Sequence, residues 1–363
     1  MISERNILIW LNSIGISNLR IKELRAYFTD LRELWTIKEQ TLVNMGILKT
    51  DNIDKILQHR KNDFLDKLLL KINQENIKIM TVLDDNYPIG LENINDNPMV
   101  LYYKGEYREE DNLAIGIVGS RKATAYGKWA CEKFTKELVG LGVTVISGLA
   151  LGIDTVAHKT AIDAGGRTIG ILGSGVDIVY PKTNNNLYKD ISNNGCVLTE
   201  FPIGTQPLQY NFPQRNRIIS GLSLGIVVIE AKEKSGSLIT AHSAIDQGKE
   251  VFSVPGNINS IFSTGTNKLI KDGAKVLMDL DDIIEEIYEL RVKMTEKHAN
   301  DIDYSNLSTD ELKIMKLIVD GPVHADTIVL KSGIDISTVI SILTILELKG
   351  MIRELSSRTF SIC

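Results

Sequence analysis

A repeated pattern between residues 113 and 275 constrains the fold most strongly: short β-branched apolar runs alternate with glycine-rich loops and helical stretches. The six predicted strands are Leu113–Val118, Val143–Ile146, Thr168–Leu172, Val197–Leu198, Ile226–Ile229 and Val251–Val254. Helical stretches such as Tyr126–Gly140 and Asp154–Ala164 separate most of them. This alternation predicts a mostly parallel α/β sheet with helices on both faces, whose ligands bind beyond the carboxyl ends of the strands.

The segments before residue 113 have a different pattern. Residues 1–80 have helical apolar spacing, interrupted by the turns Ile14-Gly15-Ile16 and Met45-Gly46-Ile47. A small helical packing domain is the favoured interpretation, and paired helices that grip a nucleic-acid backbone are the alternative. Residues 81–112 are acidic and are predicted to lead into the core through a short strand, Val100–Tyr103.

The last 60 residues predict a winged helix-turn-helix. A capping box, Ser308-Thr309-Asp310-Glu311, begins the first helix, and an acidic, helical connector over 276–299 precedes the region. The predicted elements are helices Leu312–Val319, Ala325–Lys331 and Ser337–Lys349, and strands Met351–Leu355 and Thr359–Ile362. The third helix has no Lys or Arg before Lys349, and 300–363 hold 6 basic and 9 acidic residues. Since recognition helices need polar or basic side chains, this unit is expected to pack on protein rather than on duplex DNA.

The predicted domain organisation follows from these changes of pattern. It comprises a helical domain over 1–80, a Rossmann-like core over 81–290 with 81–112 as its lead-in, a linker over 291–304, and a winged helix over 305–363. The three cysteines, Cys131, Cys196 and Cys363, are far apart and form neither a disulfide framework nor a metal pair. No signal peptide and no apolar run of about 18 residues is visible, so a cytoplasmic protein with no membrane contact is expected.

Glycine and positive charge are concentrated in the central segment. Residues 113–275 contain 21 of the 28 glycines, and 17 basic against 12 acidic residues. The first loop, Gly116-Ile117-Val118-Gly119-Ser120-Arg121, precedes a helix, and backbone amides at such a turn favour an anion. The nicotinamide spacing Gly-x-Gly-x-x-Gly is absent, and so is a Gly-Lys-Ser/Thr phosphate loop. The sequence therefore predicts an anion site that is neither a nicotinamide site nor an NTPase site.

Further loops are expected to meet at the same edge of the sheet: Ser147–Asp154, Gly173–Gly175, Tyr180–Asn184, Phe212–Arg217, Lys234–Ser237 and Pro255–Lys268. They carry cations that would form one basic rim: Arg121, Lys182, Arg215, Arg217, Lys234 and Lys268. Cations spread over several loops fit a chain of phosphates better than a single phosphate. Tyr180, Tyr188 and Phe212 lie near these loops and could stack on bases, although core packing is favoured for each.

Catalytic patterns are weak. The five histidines have no metal-ligand spacing, and Gly173-Ser174-Gly175 is not a nucleophile elbow. His158 is expected to be a buried or capping histidine, and Asp154 a residue of a helix N-terminus. No cofactor, metal or enzymatic turnover is predicted.

With these residues in view, the chain resembles the DprA (Smf) family of DNA-processing proteins over almost its full length. The matching motifs are Ile117-Val118-Gly119-Ser120-Arg121, Ser147-Gly148-Leu149-Ala150, Gly152-Ile153-Asp154, Ala157-His158, Gly173-x-Gly175, Tyr180-Pro181, Phe212-Pro213-x-Arg215-Asn216-Arg217-Ile218-Ile219-Ser220-Gly221, Lys234-Ser235-Gly236-Ser237, Val254-Pro255-Gly256 and Gly265-Thr266-Asn267-x-Leu269-Ile270. The resemblance implies a Rossmann-like core that binds single-stranded DNA and forms a homodimer. It also implies an N-terminal sterile-alpha-motif or helix-hairpin-helix-like domain and a C-terminal winged helix.

The resemblance also implies roles for residues. Arg121 with Ser120, and Lys182, would hold backbone phosphates, while Arg215 and Arg217 would line or support the pocket. The full predicted DNA-binding set is Gly119, Ser120, Arg121, Lys182, Arg215, Asn216, Arg217, Lys234, Ser235, Ser237, Asn267 and Lys268. Leu151 is a departure, because many relatives carry a basic residue there.

The predicted function is a non-catalytic mediator that protects incoming single-stranded DNA in natural transformation and helps to load the RecA recombinase. One alternative is a nucleotide-processing enzyme. That family's Pro-Gly-Gly-x-Gly-Thr loop and catalytic glutamate are not reproduced by Pro255-Gly256-Asn257 and the later Gly265-Thr266-Asn267. The other alternative is a transcription regulator that acts through the winged helix.

Overall fold

The computed structural model describes residues 2–301, 307–319 and 321–362. Its contacts divide the chain into two compact units, Met1–Glu286 and Ile287–Cys363.

The first unit contains thirteen helices and nine strands among its described residues. The helices are α1 Glu4–Ser13, α2 Asn18–Tyr27, α3 Glu39–Asn44, α4 Thr50–His59, α5 Asn62–Gln74, α6 Ile89–Glu92, α7 Ala125–Gly140, α8 Ile153–Asp163, α9 Asn185–Asn194, α10 Asn211–Leu222, α11 Gly236–Asp246, α12 Thr264–Lys271 and α13 Asp281–Ile284. The strands are β1 Lys78–Thr81, β2 Val100–Gly105, β3 Ala114–Gly119, β4 Thr144–Ser147, β5 Thr168–Ile171, β6 Cys196–Thr199, β7 Gly225–Ile229, β8 Glu250–Ser253 and β9 Lys275–Val276. Short 3₁₀ turns occupy Leu31–Trp35, Glu109–Asn112 and Lys182–Asn184.

The nine strands form one sheet in the order β1-β2-β6-β5-β4-β3-β7-β8-β9. From β6 to β9 all neighbours are parallel, whereas β1 and β2 extend one edge in antiparallel register. From β3 the chain adds β4, β5 and β6 on one side of β3, and then β7, β8 and β9 on the other side. The carboxyl ends of β3 and β7 therefore flank the point where the strand order reverses, which is where such sheets bind ligands.

The predicted parallel α/β core is confirmed. All six predicted strands of the core are present, with ends that shift by one or two residues, and Val100–Tyr103 lies within β2. The prediction that residues 1–80 are helical is wrong for Lys78, Ile79 and Met80, which belong to β1. This short strand is ordered by pairing with β2, in the register Met80 to Leu101.

The N-terminal helices pack against the antiparallel edge of the sheet. Ile7 and Trp10 of α1 are fully buried in one apolar cluster with Tyr102 of β2 and Val197 of β6. The hydroxyl of Tyr102 donates to Asn12 Oδ1 at 3.0 Å. Burial of the apolar face of α1 thus stabilises its position on the sheet.

Two segments that were expected to be loops are helical. Phe212–Arg217 lies in α10, and Gly265–Lys268 lies in α12. Pro213 falls in the first turn of α10, where a missing N–H breaks no intrahelical hydrogen bond. The proline and glycine that suggested loops therefore sit close to helix starts.

The second unit contains α14 Tyr288–Asp301, α15 Thr309–Ile318, α16 Ala325–Ser332 and α17 Ile336–Leu348, with strands β10 Val323–His324, β11 Ile352–Ser356 and β12 Thr359–Ile362. The three strands pair in the order β10-β12-β11, which confirms the winged helix. The capping box is also present: Ser308 Oγ accepts from the Glu311 amide at 3.3 Å, and the Glu311 carboxylate accepts from the Ser308 amide at 2.7 Å.

Cys131 and Cys196 are buried free thiols, and burial raises the pKa of the Cys131 thiol to about 12. Cys363 lies outside the described residues. Over 2–301, 307–319 and 321–362, no His, Cys, Asp and Glu side chains gather in a group of three that could hold a metal ion.

In the same ranges no single helix is long and apolar enough to cross a membrane. Ala325–Ser332 and Ile336–Leu348, bent by 117°, reach the required length and composition only when counted together.

Candidate functional site

A cleft of about 680 Å³ lies at the point where the strand order reverses. The residues that line it come from the end of β3 and the loops after β3, β4, β5 and β7, and from α10, the loop before it, and the starts of α8 and α11. They are Val118, Gly119, Ser120, Arg121, Lys122, Ala150, Asp154, Tyr180, Pro207, Gln209, Phe212, Pro213, Arg215, Asn216, Ile219, Lys232, Lys234, Ser235, Gly236, Ser237, Ile239 and Thr240.

The wall after β3 is tightly packed. A Cβ on Gly119 would collide with the carbonyl oxygen of Ile229, and a Cβ on Gly152 would collide with that of Ser120. Gly152 also has a φ of +81°, which favours glycine. The Ile153 amide, at the start of α8, donates to the Ser120 carbonyl at 3.1 Å. These close approaches hold the Gly119–Ser120 turn in place.

Arg121 follows this turn and is exposed. The Cζ of its guanidinium lies 5.7 Å from the ring centroid of Phe212, whose ring centroid is 5.5 Å from that of Tyr180. In the described part of the chain no carboxylate forms an ion pair with Arg121. Its charge and donors are thus available to a ligand, beside two aromatic faces.

Arg215 supplies a second positive charge from inside the fold. It is 4% exposed, and its guanidinium donates to the carbonyl oxygens of Gly148, at 2.8 Å, and of Ile171. Burial lowers its pKa to about 10, against the opposing attraction of Asp154. Arg215 therefore remains charged at neutral pH and contributes a positive potential to the cleft floor.

Asp154 organises the loop above Arg215. Its Oδ2 accepts from the amides of Gly148, at 3.1 Å, and Ala150, at 3.3 Å. Burial raises the pKa of this carboxyl, while Arg215 lowers it. The prediction that Asp154 is a helix N-terminal residue is confirmed, since α8 begins at Ile153.

The N-terminus of α11 faces the cleft from the other wall. Ser235 caps the helix, since its Oγ accepts from the Ser237 amide at 3.4 Å, and Lys234 is exposed beside it. The Asn216 side-chain amide donates to the Gly236 carbonyl at 3.2 Å and joins α10 to α11. A helix N-terminus with an adjacent lysine favours an anion.

Arg217 does not lie in the cleft, contrary to its expected place on the rim. Its NH2 donates to Glu200 at 2.7 Å and to Asp96 at 3.4 Å, on the side of α10 that faces the N-terminal helices. Asn18 of α2 donates to the same Glu200 carboxylate at 2.6 Å. Burial raises the pKa of Glu200, against the opposing effects of Arg217 and Asn18. Arg217 is thus paired with carboxylates outside the cleft lining, and its role toward DNA stays a prediction.

Three other predicted contacts also lie outside the lining of the cleft. Lys182 is exposed in the 3₁₀ turn that follows Tyr180. Asn267 closes the loop after β8, because its side chain exchanges hydrogen bonds with the Gly256 amide, at 3.1 Å, and carbonyl, at 2.9 Å. Lys268 Nζ lies 4.0 Å from Glu233. Of the six cations predicted to form one rim, Arg121, Arg215 and Lys234 line the cleft, and Lys182, Arg217 and Lys268 do not.

Sequence reasoning missed two lysines that do line the cleft, Lys122 and Lys232. Lys122 follows Arg121 directly, and Lys232 is two residues before Lys234, so proximity to a predicted contact was the available signal. Lys232 Nζ lies 5.1 Å from the Phe262 ring centroid.

Two residues singled out in the sequence are buried. Tyr188 donates from its hydroxyl to the Val176 carbonyl at 2.5 Å. His158 Nδ1 is 2.6 Å from Thr168 Oγ1, and burial lowers its pKa to about 3, so its ring is neutral. The expectation of a buried histidine is confirmed.

The cleft thus offers exposed cations, a buried cation, a helix N-terminus and aromatic faces on one surface. This combination suits a polyanion with planar groups better than a single small phosphate. Fold and cleft together define a Rossmann-like protein with a basic cleft at the reversal of strand order and a C-terminal winged helix.

Comparison with known proteins names the family. A profile described as DNA recombination-mediator protein A matches residues 78–288, and a profile of the DprA winged helix domain matches residues 303–357. The chain belongs to the DprA (Smf) family, as the sequence motifs predicted.

Individual relatives cover both the core and the full chain. The DNA processing protein DprA of Bacillus subtilis is 40% identical over 274 residues, which are 73% of this chain and 92% of the relative. Protein Smf of Escherichia coli is 32% identical over 354 residues, 95% of this chain and 92% of the relative.

Two solved structures are similar. DNA processing protein A of Streptococcus pneumoniae has a TM-score of 0.69 at 35% identity and covers 79% of this chain and 98% of its own. DNA processing protein A of Helicobacter pylori, solved to show its single-stranded DNA binding mode, has a TM-score of 0.53 at 30% identity and covers 58% of this chain and 94% of its own.

Proposed function

We propose that this protein binds single-stranded DNA in the cleft at the ends of β3 and β7 and acts as a non-catalytic recombination mediator. The observation that carries the proposal is the exposed Arg121, which has no ion-pair partner in the described chain and stacks on Phe212 beside the buried Arg215. The single-stranded DNA binding mode of the Helicobacter pylori relative supports the same ligand.

The mechanism follows from the surroundings of each group. Arg121, Lys122 and Lys234 neutralise consecutive phosphates, and each contact releases counterions from the DNA. Each contact therefore steepens the fall of log affinity with log salt concentration by about 0.7 for single strands. Tyr180 and Phe212 offer ring faces to bases that are free to unstack. Duplex DNA cannot present a base to these rings without unpairing, so the cleft selects single strands.

The predicted contacts fall into two groups within this proposal. Arg121, Lys182, Lys234 and the Ser235–Ser237 turn touch phosphates, with Gly119 and Ser120 providing close backbone approach. Arg215, Asn216, Arg217 and Asn267 hold the surrounding elements in position, and Lys268 is not a contact.

The cellular role proposed is protection of incoming single strands in natural transformation and loading of RecA onto them. We also propose that the protein forms a homodimer. The predicted domain boundaries after residues 80, 290 and 304 are part of the same proposal. Light scattering tests the dimer, and RecA filament formation on strands coated with single-strand-binding protein tests the loading.

The decisive experiment is fluorescence anisotropy with single-stranded and duplex oligonucleotides over a salt series. Arg121→Glu is expected to weaken single-strand binding by roughly 100-fold or more and to reduce the salt slope by about one unit, for all sequences alike. Lys189→Glu, an equal charge change at an exposed site on α9 outside the cleft, is the matched control and should change affinity only a few-fold. Equal affinity for both DNA forms, unchanged in Arg121→Glu, would contradict the proposal.

A nucleotide-processing enzyme is the alternative that the same purified protein can test. Incubation with nucleoside monophosphates followed by chromatography should yield no free base. Release of base at a rate that tracks the protein concentration would replace the mediator proposal.

A further inference from the structure

Two aromatic rings are exposed side by side at the start of α7. Tyr126 is 45% and Trp129 58% exposed, and their rings are stacked with centroids 6.0 Å apart and planes 28° apart. Two exposed rings in contact form one apolar patch on the surface, and a contiguous patch marks a candidate interaction site. Neither residue belongs to the predicted DNA-binding set or to the lining of the cleft.

The rings follow the cleft wall closely in the chain. Arg121 and Lys122 line the cleft, and Thr124 caps α7 by accepting from the Gly127 amide at 3.2 Å. Tyr126 and Trp129 therefore lie on the first two turns of the helix that begins at the cleft wall.

The position of these rings is fixed by hydrogen bonds to other loops. The Thr124 amide donates to Glu230 at 2.8 Å, and the Thr124 hydroxyl donates to the same carboxylate. The Tyr126 hydroxyl donates to the Pro255 carbonyl at 2.8 Å. The end of β7 and the loop after β8 thus hold the start of α7 in place, so the rings are a preformed surface.

The charge around the rings selects the ligand. Lys122 and Lys128 are exposed on either side of Tyr126 in the chain. Lys133, one turn after Trp129, is partly buried and lies 4.0 Å from Glu137, so the two exposed lysines supply the charge. Exposed aromatic rings interleaved with lysines fit the bases and phosphates of a single strand.

We propose that Tyr126 and Trp129 form a base-stacking platform that extends the cleft, on which the nucleotides that leave the Arg121 turn stack. This inference rests on the proposed function, and it assigns a second contact region to the same strand. Short oligonucleotides fill the cleft alone, and longer ones also cover the platform.

A second copy of the chain is the competing occupant. Ile258 and Met278 are exposed near the platform, where Pro255 accepts from Tyr126 and the Met278 carbonyl accepts from Lys133 at 3.1 Å. The stacked rings and interleaved lysines favour DNA, and the experiment distinguishes the two.

Tryptophan fluorescence reports on the platform directly. The chain has three tryptophans: Trp10 is fully buried, Trp35 packs edge-on against it at 4.9 Å, and Trp129 is exposed. Titration with oligothymidylate of about 15 nucleotides should quench the emission, whereas about 5 nucleotides should bind with little quenching. The quenching should be absent in Trp129→Phe, which assigns the signal to this residue.

Affinity supplies the second measurement. Trp129→Ala should weaken binding of the longer oligonucleotide by roughly 5- to 100-fold and leave that of the shorter one unchanged, because a stacked base is lost. Tyr27→Ala, on α2 with the same exposed fraction of 58%, is the control and should change neither.

Two outcomes would overturn the platform while the proposed function stands. One is binding of long strands that is lost in Arg121→Glu yet neither quenches Trp129 nor weakens in Trp129→Ala. The other is Trp129 emission that changes with protein concentration without DNA, together with a monomer in Trp129→Ala, which would assign the rings to a second copy. Failure of Arg121→Glu to affect binding would instead overturn the proposed function.

Discussion

The two sides of helix α10 use arginine in opposite ways. On the cleft side Arg215 lies under the exposed Arg121, and positive charge is in excess. On the other side Arg217 is paired with Glu200 and Asp96 against the N-terminal helices. Residues two apart on a helix are separated by about 200°, so one motif supplies both sides. The charge of an arginine therefore indicates a ligand contact only where the fold leaves it without a carboxylate.

The largest expected effect tests the paired side. Arg217→Met should lower the free energy of unfolding by about 3–5 kcal/mol, because it leaves Glu200 charged, buried and without its cation. Urea unfolding measures the loss, and the affinity of the folded fraction for single strands should stay within a few-fold. The double variant Arg217→Met with Glu200→Gln should recover part of the stability. A small loss of stability with a large loss of binding would place Arg217 among the DNA contacts.

A smaller effect tests the interior beneath the cleft, where the fold holds His158 neutral. Burial lowers its pKa from an ordinary 6.5 to about 3, so the unfolded chain binds the proton first as the pH falls. The neutral, buried His158 therefore costs the fold no stability above about pH 6.5. Below that pH, the free energy of unfolding decreases as the pH falls toward 3. Between about pH 6.5 and pH 5 the loss amounts to about 2 kcal/mol.

Urea unfolding at these two pH values measures this loss. In His158→Gln the decrease should be smaller by that amount, because glutamine does not titrate. An unchanged pH dependence in the variant would show that other groups account for it.

The smallest effect compares two exposed lysines. Lys182→Ala should weaken single-strand binding by roughly 3- to 10-fold and reduce the salt slope by about 0.7, since Lys182 follows Tyr180 at the edge of the cleft. Lys268→Ala should have less than about a two-fold effect, because Lys268 lies near Glu233 outside the cleft. Anisotropy over a salt series measures both, and equal effects would mean that the DNA path continues past α12.

The alternating apolar runs predicted the parallel sheet because their physical cause is local: buried strands of such a sheet are continuously apolar and β-branched. Local patterns also placed the winged helix and its capping box correctly. They failed at Lys78, Ile79 and Met80, where pairing with β2 decides the structure. They failed again at Phe212–Arg217, which is predicted as a loop but lies in α10, where the first turn of the helix accepts Pro213.

The site was predictable where one short segment carries all its parts. Gly119, Ser120 and Arg121 combine a strand end, a tight turn and a cation, and they line the cleft. The place of Arg217 depends on Glu200 and Asp96, and only the tertiary fold brings these carboxylates to it. The sequence predicts Tyr126 and Trp129 only as part of a helix, because a single sequence does not show which of its residues are exposed.

The anchoring of Thr124 by Glu230 has a consequence for selectivity among single strands. A turn that is already rigid loses little conformational entropy on binding. Most of the entropy cost therefore comes from ordering the DNA strand. Oligonucleotides that fold back on themselves must first melt. Unstructured homopolymers should therefore bind faster and more tightly than hairpin-forming strands of equal length and charge.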